Sequence, residues 1–296
     1  MSIDNIHGFS KVLQDPIQLE DEIWSYQVPT IPHPSILNAH NLLKSISVVS
    51  NDAKQQIILT LQHSSPNRAV ASFPPDRFVT ISFADFRLRV PLTNSGQKNG
   101  TQPATARESS DYVVRLLRAG IILNHVHYNF YGHSNSQLKS RSCFLIADSK
   151  LNVQQMIENL GDFTKMKTVA KKSKRIGLLF SSAPVAMNLD PARCQDIPDI
   201  EKDGYIFTDG CGIISAHFAH ELARKSKITF RNRRYTPSVF QIRYRGYKGV
   251  LTLDTAMKGE FMVKFRKSMK KFSGGSDYSF SVIEHSKVIL KFFLWF

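Results

Sequence analysis

Cysteine is scarce, with three in 296 residues, and no two of them form a C-x-x-C pair. That excludes a disulfide scaffold and a cysteine-based zinc finger, and it suits a reducing compartment. Acidic residues are the minority charge: 24 Asp+Glu against 39 Lys+Arg leave a net charge of +15. Long apolar runs are missing as well. No stretch approaches the ~18 residues a membrane-spanning helix needs. The opening MSIDNIHGFSKVLQD has no basic segment followed by an apolar one, so no secretory leader is expected. The closing KVILKFFLWF is interrupted by Lys291 and is too short to span. The expected residence is therefore inside the cell, nuclear or cytoplasmic, with no membrane association. Neither G-x-S-x-G nor G-x-x-x-x-G-K-[ST] occurs, which removes the common serine hydrolases and P-loop enzymes. No D-x-D-x-D run occurs either, so two-metal chemistry has no evident carboxylate cluster. The nearest candidates, Asp199, Glu201 and Asp203, read as a polar loop.

What is present is apolar material and concentrated positive charge. A hydrophobic content of 42% with 20 Phe excludes a disordered chain, and the length allows one large domain or two small ones. Residues 1–150 hold 14 basic and 11 acidic side chains, whereas residues 151–296 hold 25 and 13. Lys165, Lys167, Lys171, Lys172, Lys174 and Arg175 fall together without an acid. Residues 222–253 carry nine Lys and Arg, again with no Asp or Glu, interleaved with Phe230, Tyr235, Phe240, Tyr244 and Tyr247. Such a field attracts polyanions and favours nucleic-acid or nucleotide contact over a merely soluble surface.

Periodicity predicts an α+β chain. Strands are expected over 46–50 and 57–61, and a strand, turn and strand over 77–90. Residues 92–106 read as a flexible surface loop. A helix is expected over 108–119, stopped by Gly120, followed by strands at 121–130 and 143–147. Asn152 is expected to cap a helix reaching Leu160. A second helix is expected over 164–176, packing Met166, Val169, Ala170 and Ile176 while its lysines face out. Beyond a polar stretch at 181–203 the chain turns β-rich, with a short strand at 205–208 ending in the Asp209-Gly210 turn. Ser215 is expected to cap a helix to about Lys225. Clean alternation over 239–244 puts Phe240, Ile242 and Tyr244 on one face and Val239, Gln241 and Arg243 on the other. Gly246 permits a turn, 247–253 returns as a strand, and 261–265 follows. The expected organisation is a mixed N-terminal region (1–130), a helical connection with a basic helix (131–185) and a β-rich region (186–296).

The segment QIRYRGYKG at 241–249 carries the most chemistry. A strand bearing Gln241 and Arg243, then a glycine-bounded turn and Lys248, would place two cations at one end of a sheet. Arg grips phosphate bidentately and Lys acts as a mobile point charge. Gly246 and Gly249 would let a bulky anion approach the backbone. By spacing alone, an ordinary basic hairpin is an equally good reading. His125 with His127, and His217 with His220, share faces, but no four-ligand metal set exists, and structural histidines are favoured.

Several segments in order resemble the cellular RNA-dependent RNA polymerases of eukaryotic RNA silencing. They are SNSQLK at 134–139, GDF at 161–163, IPDIE at 197–201, FTDGCG at 207–212 with Ile214-Ser215, PSVFQIRYRGYKG at 237–249 and FRKSMKKF at 265–272. The match is readable from about Arg77 and strong from about Tyr131 to Phe272. The resemblance implies an enzyme that copies an RNA template into double-stranded RNA, with RNA and nucleoside triphosphates as partners and magnesium as cofactor. It implies a core of paired double-psi β-barrels, of which residues 186–296 would form the first, incompletely. Arg243 and Lys248 would then face the triphosphate or the growing strand, with Gln241 as a neighbour and Arg266, Lys270 and Lys271 as weaker candidates for the same cleft. The magnesium-binding Asp-x-Asp-Gly-Asp loop of the family is absent from this sequence. A truncated chain that does not polymerise alone is therefore the expectation. A non-catalytic RNA-binding module using the same basic face is the alternative, and a subunit completed by another chain a remote third.

Overall fold

A computed structural model describes residues 9–13, 42–51, 54–64, 67–71, 73–91, 101–123, 125–275 and 277–287. The opening segment, whose Pro29, Pro32 and Pro34 read as irregular chain, lies mostly outside these residues, as does 92–100 of the expected loop. The chain divides into two compact units, one of Met1–Ile157 with Ile176–Ser181, the other of Glu158–Arg175 with Ser182–Phe296. Residues 131–185 are thus shared between them.

The first unit is built on a seven-stranded sheet. Its strands are β1 (Phe9–Leu13), β2 (Leu42–Asn51), β3 (Lys54–His63), β4 (Phe78–Ser82), β7 (Ile121–Leu123), β8 (Val126–Gly132) and β9 (Ser142–Ile146), in the order β1-β3-β2-β4-β9-β8-β7. Among these described strands, β2 and β4 are the pair that runs parallel. Two further strands, β5 (Arg89–Pro91) and β6 (Thr101–Pro103), pair with each other, so the end of the expected loop is strand. Helix α1 (Ala106–Ala119) starts two residues earlier than periodicity predicts. Thr105 and Glu108 form a reciprocal capping box, and Gly120 ends the helix at φ +85°. Ile46, Val79, Ile81, Phe83, Phe86, Leu116 and Leu145 pack as the core between sheet and helix. His125 lies in the turn between β7 and β8 at φ +62°, not on a strand face with His127. His127 instead bonds the Ala119 carbonyl through Nε2 at 2.9 Å. A short helix α2 (Asn135–Lys139) follows β8, again with a capping box, at Ser134. In α3 (Lys150–Leu160), the Ser149 hydroxyl accepts from the Asn152 backbone, and Asn152 donates its side-chain amide to Asp148. The cap thus stands three residues before the expected one.

The second unit opens with β10 (Gly161–Asp162) and reaches α4 (Val169–Ile176). That helix is shorter than expected, because the Asp162 carboxylate takes both the backbone and the hydroxyl of Thr164 and the Thr168 hydroxyl accepts from the Lys171 backbone. Val169 and Ala170 are exposed rather than packed. The polar stretch after it contains β11 (Val185–Asn188), β12 (Cys194–Ile197) and β13 (Glu201–Lys202), which sequence reading missed because each is short and bounded by proline or turn residues. β14 (Tyr205–Ile206) pairs with β13 through a left-handed Asp203-Gly204 turn. Then follow β15 (Cys211–Ser215), helix α5 (Ala216–Lys225) capped by Ser215, and a small hairpin of β16 (Thr229–Phe230) and β17 (Arg233–Arg234). The remaining strands are β18 (Val239–Tyr244), β19 (Tyr247–Asp254), β20 (Val263–Arg266), β21 (Ser273–Gly274) and β22 (Ser279–His285).

Seven of these strands form one sheet in the order β11-β22-β18-β19-β15-β20-β12. Parallel pairs β15 with β19 and β12 with β20 interrupt an otherwise antiparallel arrangement. Phe218 and Leu222 of α5 pack on Phe240, Ile242, Tyr244, Leu251, Phe265 and Phe280 to form the core. The expected α+β, β-rich C-terminal character is therefore present. Among the described residues, no helix is long and apolar enough to cross a membrane.

Candidate nucleic-acid interface

The hairpin β18–β19 positions the cations. Arg245 and Gly246 make its two-residue turn, both left-handed at φ +40° and +86°, the geometry whose twist suits adjoining antiparallel strands. Arginine at the first of these positions is unusual, and its guanidinium lies 5.1 Å from the Tyr278 ring. The turn brings Arg243 directly opposite Lys248. Directly opposed side chains on such a pair start about 4.5–5.5 Å apart, and like charges there are destabilising. The burial of β18 alternates as expected, with Phe240, Ile242 and Tyr244 in the core and Gln241 and Arg243 half-buried on the other face. Gln241 shares that face, and its register partner on β22 is Glu284.

Lys248 is held below its ordinary pKa, first by burial and then by the positive charges of Arg243, Lys271, Lys174 and Arg175. Among the described residues, no carboxylate pairs with it. Lys271 enters from the segment after β20. Its backbone donates to the Gly246 carbonyl at 2.9 Å, beside the hairpin turn, and its ammonium bonds the Ser268 carbonyl. Lys174 and Arg175 come from the last turn of α4, where Lys171, Lys172 and Lys174 are exposed as expected.

The other two predicted cations lie elsewhere. Lys270 sits on the face of the Tyr247 ring, 5.4 Å from its centre, and pairs with Asp196 at 3.7 Å. Tyr247 donates its hydroxyl to the same carboxylate at 2.6 Å and stacks on Phe265 at 4.1 Å. Burial, then that carboxylate, holds the phenol well above its usual pKa. Because Tyr247 and Lys248 are consecutive on a strand, they project to opposite faces, and Lys270 goes with Tyr247. Arg266 donates to the Pro198 carbonyl at 2.8 Å. Beside it the Asp199 carboxylate accepts from the hydroxyl and backbone of Ser268 at 2.6 and 2.8 Å and from the Thr208 hydroxyl at 3.1 Å. Those bonds, the Ser268 hydroxyl first, hold its pKa below the usual range. Asp199 therefore serves as a structural tie between the β12–β13 segment and the segment after β20.

The glycines of the hairpin do not make room for an anion, as the sequence suggests. A Cβ at Gly246 would lie 2.1 Å from the Phe272 carbonyl oxygen, and one at Gly249 2.1 Å from that of Gly210. They let two other chain segments cross the hairpin at close backbone range. Gly210 itself takes the left-handed turn expected after Asp209, and its carbonyl accepts from Val250 at 2.9 Å. Among the described residues, no group of three or more His, Cys, Asp or Glu is placed to hold a metal ion.

Comparison with known proteins then assigns the family. The family model for RNA dependent RNA polymerase matches residues 55–294. The chain belongs to the RNA-dependent RNA polymerase family. It is 34% identical to RNA-dependent RNA polymerase 1 of Arabidopsis thaliana over 203 residues, covering 67% of this chain and 18% of that protein. It is 32% identical to the probable RNA-dependent RNA polymerase 1 of Oryza sativa over 228 residues, covering 75% of this chain and 30% of that one. Among solved structures, the RNA dependent RNA polymerase QDE-1 from Thielavia terrestris superposes with a TM-score of 0.59 at 18% identity, over 83% of this chain and 28% of that one. That likeness concerns the fold. This RNA-dependent RNA polymerase family member thus spans less than a third of the relatives it matches, and its polymerase-like segment includes the whole cation-bearing hairpin.

Proposed function

We propose that this chain is part of a silencing-type RNA-dependent RNA polymerase and supplies cations to the phosphates of the reacting RNA and nucleotide. In that reaction an RNA 3′ hydroxyl attacks the α-phosphate of a nucleoside triphosphate opposite an RNA template, and pyrophosphate leaves. Arg243 and Lys248 neutralise phosphate charge and fix its position, Lys271 adds a third cation, and Gln241 is a polar neighbour on the same face. Lys270, whose charge is paired with Asp196, contributes less, and Arg266 is directed to the Pro198 carbonyl. The observation that carries this reading is the direct opposition of Arg243 and Lys248 on one strand pair. A protein accepts such a repulsive pair where a bound anion relieves it.

The second unit is read as the first double-psi barrel of such an enzyme. Its two parallel strand pairs, the chain crossings at Gly246 and Gly249, and the likeness to the fungal polymerase fold support this. Magnesium is the cofactor the family implies, and the described residues supply no carboxylate cluster for it.

The test is the double variant Arg243→Ala, Lys248→Ala. In a variant that melts like the parent, affinity for single-stranded RNA should fall. The slope of log affinity against log salt should flatten by roughly 0.7 for each phosphate that the variant no longer neutralises. Unchanged affinity and slope would remove these residues from the site.

A further inference from the structure

Helix α1 has two apolar faces, and the core of the first unit takes one of them. Tyr112 and Leu116 are buried in that core. Further round the helix, Val113 and Leu117 are half-buried and Val114 is 42% exposed. With Ala106 and Ser110 these three line a groove of about 620 Å³. Of the other lining residues, Phe83, Phe86 and Cys143 are buried, whereas Phe130 and Leu138 stay 39% and 60% exposed. Single exposed apolar residues are ordinary, but three around one groove mark a surface that a partner covers. Every lining residue belongs to the first unit. The groove is held open by its own packing. A capping box fixes the start of α1, and the Phe83 and Phe86 rings pack with centres 6.0 Å apart. The Phe83 backbone donates to the Arg141 carbonyl at 2.9 Å. Arg141 sits at φ +52°, a conformation that an arginine adopts at a cost.

We propose that this groove docks an acidic amphipathic helix of a partner polypeptide. The charge of the lining sets the sign: Arg87, Arg141 and His133 contribute to it, and no Asp or Glu does. Among the described residues, neither guanidinium pairs with a carboxylate. From Ala106 to Leu117 the helical wall runs about 16 Å, at ~1.5 Å per residue, which is three turns. Ser110 with Val114, and Val113 with Leu117, make i,i+4 rows, the ridges between which the side chains of a second helix seat. A helix also satisfies its own backbone, so it can enter an apolar groove without leaving N–H and C=O groups unpaired. Its apolar side chains at i, i+4 and i+7 would fill the groove, with Asp or Glu on the flanks against Arg87 and Arg141. A lipid surface, the other apolar and anionic partner, is flat and does not fill a groove. The inference stands apart from the reading of Arg243 and Lys248 as phosphate ligands.

The probe is a fluorescein-labelled peptide of about fifteen residues, cross-linked into a helix, with leucines at i, i+4, i+7 and i+11 and glutamates on both flanks. A second peptide of the same composition has its leucines scattered round the helix. It carries the same charge, so it reads the general attraction of the basic second unit. By fluorescence anisotropy, the whole chain should bind the ordered peptide about tenfold more tightly than the scattered one. Val114→Asp, at an exposed position, should melt like the parent and remove that difference. In Arg87→Glu, Arg141→Glu, affinity for the ordered peptide should fall about tenfold and affinity for its lysine-for-glutamate version should rise. Equal binding of ordered and scattered peptides by the parent overturns the docking groove, and so does a preference that survives Val114→Asp. A preference lost in Val114→Asp but indifferent to the charge exchange overturns the acidic partner. Phosphatidylserine vesicles that bind the parent but not Val114→Asp, with no preference between the peptides, assign the groove to a membrane and overturn the helix.

Discussion

At the scale of single residues, the chain puts charge where packing alone would exclude it. Lys44 on β2 is 4% exposed, next to the buried Leu42 and Leu43. Its ammonium donates to the Asp76 carbonyl at 2.6 Å and to the Tyr128 hydroxyl. Burial still lowers its pKa from 10.5 to about 8, only partly opposed by the Asp76 charge. Below pH 8 the lysine is charged in both folded and unfolded chains, and the full burial cost is present. Between the folded and unfolded values the unfolded chain holds the extra proton, so stability rises with pH through that window. The rise is at most about 3 kcal/mol. In Lys44→Met it should vanish, measured as the difference in denaturant midpoint between parent and variant from pH 7 to pH 10. Parallel curves would show that Lys44 is not what titrates. Nothing in the sequence marks Lys44 as buried, because a lysine in a strand normally reads as the solvent face. Arg243 and Lys248 were legible by contrast, since period-two alternation and a two-residue turn are enough to set them face to face.

At the scale of elements, what sequence reading reached and what it missed separate by range. Ser215 and α5, and the β18–β19 hairpin, follow from local rules of capping and alternation, and both appear where expected. The start of α1 was equally local: Thr105 and Glu108 spell a capping box three residues apart, and periodicity alone overlooked it. The length of α4 turned on the Asp162 carboxylate competing for Thr164, a bond no pattern of apolar residues announces. The hairpin glycines show the limit most clearly. Glycine beside paired cations suggests space for a ligand, yet the space at Gly249 belongs to Gly210, thirty-nine residues earlier in the chain. Gly249→Ala therefore forces two backbones apart and strains the Val250 to Gly210 hydrogen bond. Overpacking of this kind costs roughly 1–3 kcal/mol. The melting temperature should fall accordingly in calorimetry, and a parent-like melt would mean that the two segments do not cross there.

At the scale of the whole molecule, the uneven charge of the sequence maps onto the division into two units. The acid-poor windows around 165–175 and 222–253 both fall in the second unit, and so do Arg243, Lys248 and Lys271. What no local signal carried was the order β11-β22-β18-β19-β15-β20-β12, in which strands distant in sequence become neighbours and two pairs run parallel. That order assembles the field: it brings the segment after β20 to the hairpin turn, while the stretch before α4 attaches to β21. The first unit has nearly balanced charge and keeps its conspicuous lysine buried. Electrostatic attraction for RNA should therefore reside in the second unit alone. Ultraviolet cross-linking of labelled single-stranded RNA to the whole chain, mapped by mass spectrometry, should place cross-links within 158–175 and 182–287, with the exposed Tyr205 and Tyr278 as aromatic reporters. The yield should fall steeply as salt rises, because counterion release drives the association. Cross-links concentrated in the first unit, or a yield indifferent to salt, would mean that RNA is gripped by something other than this field.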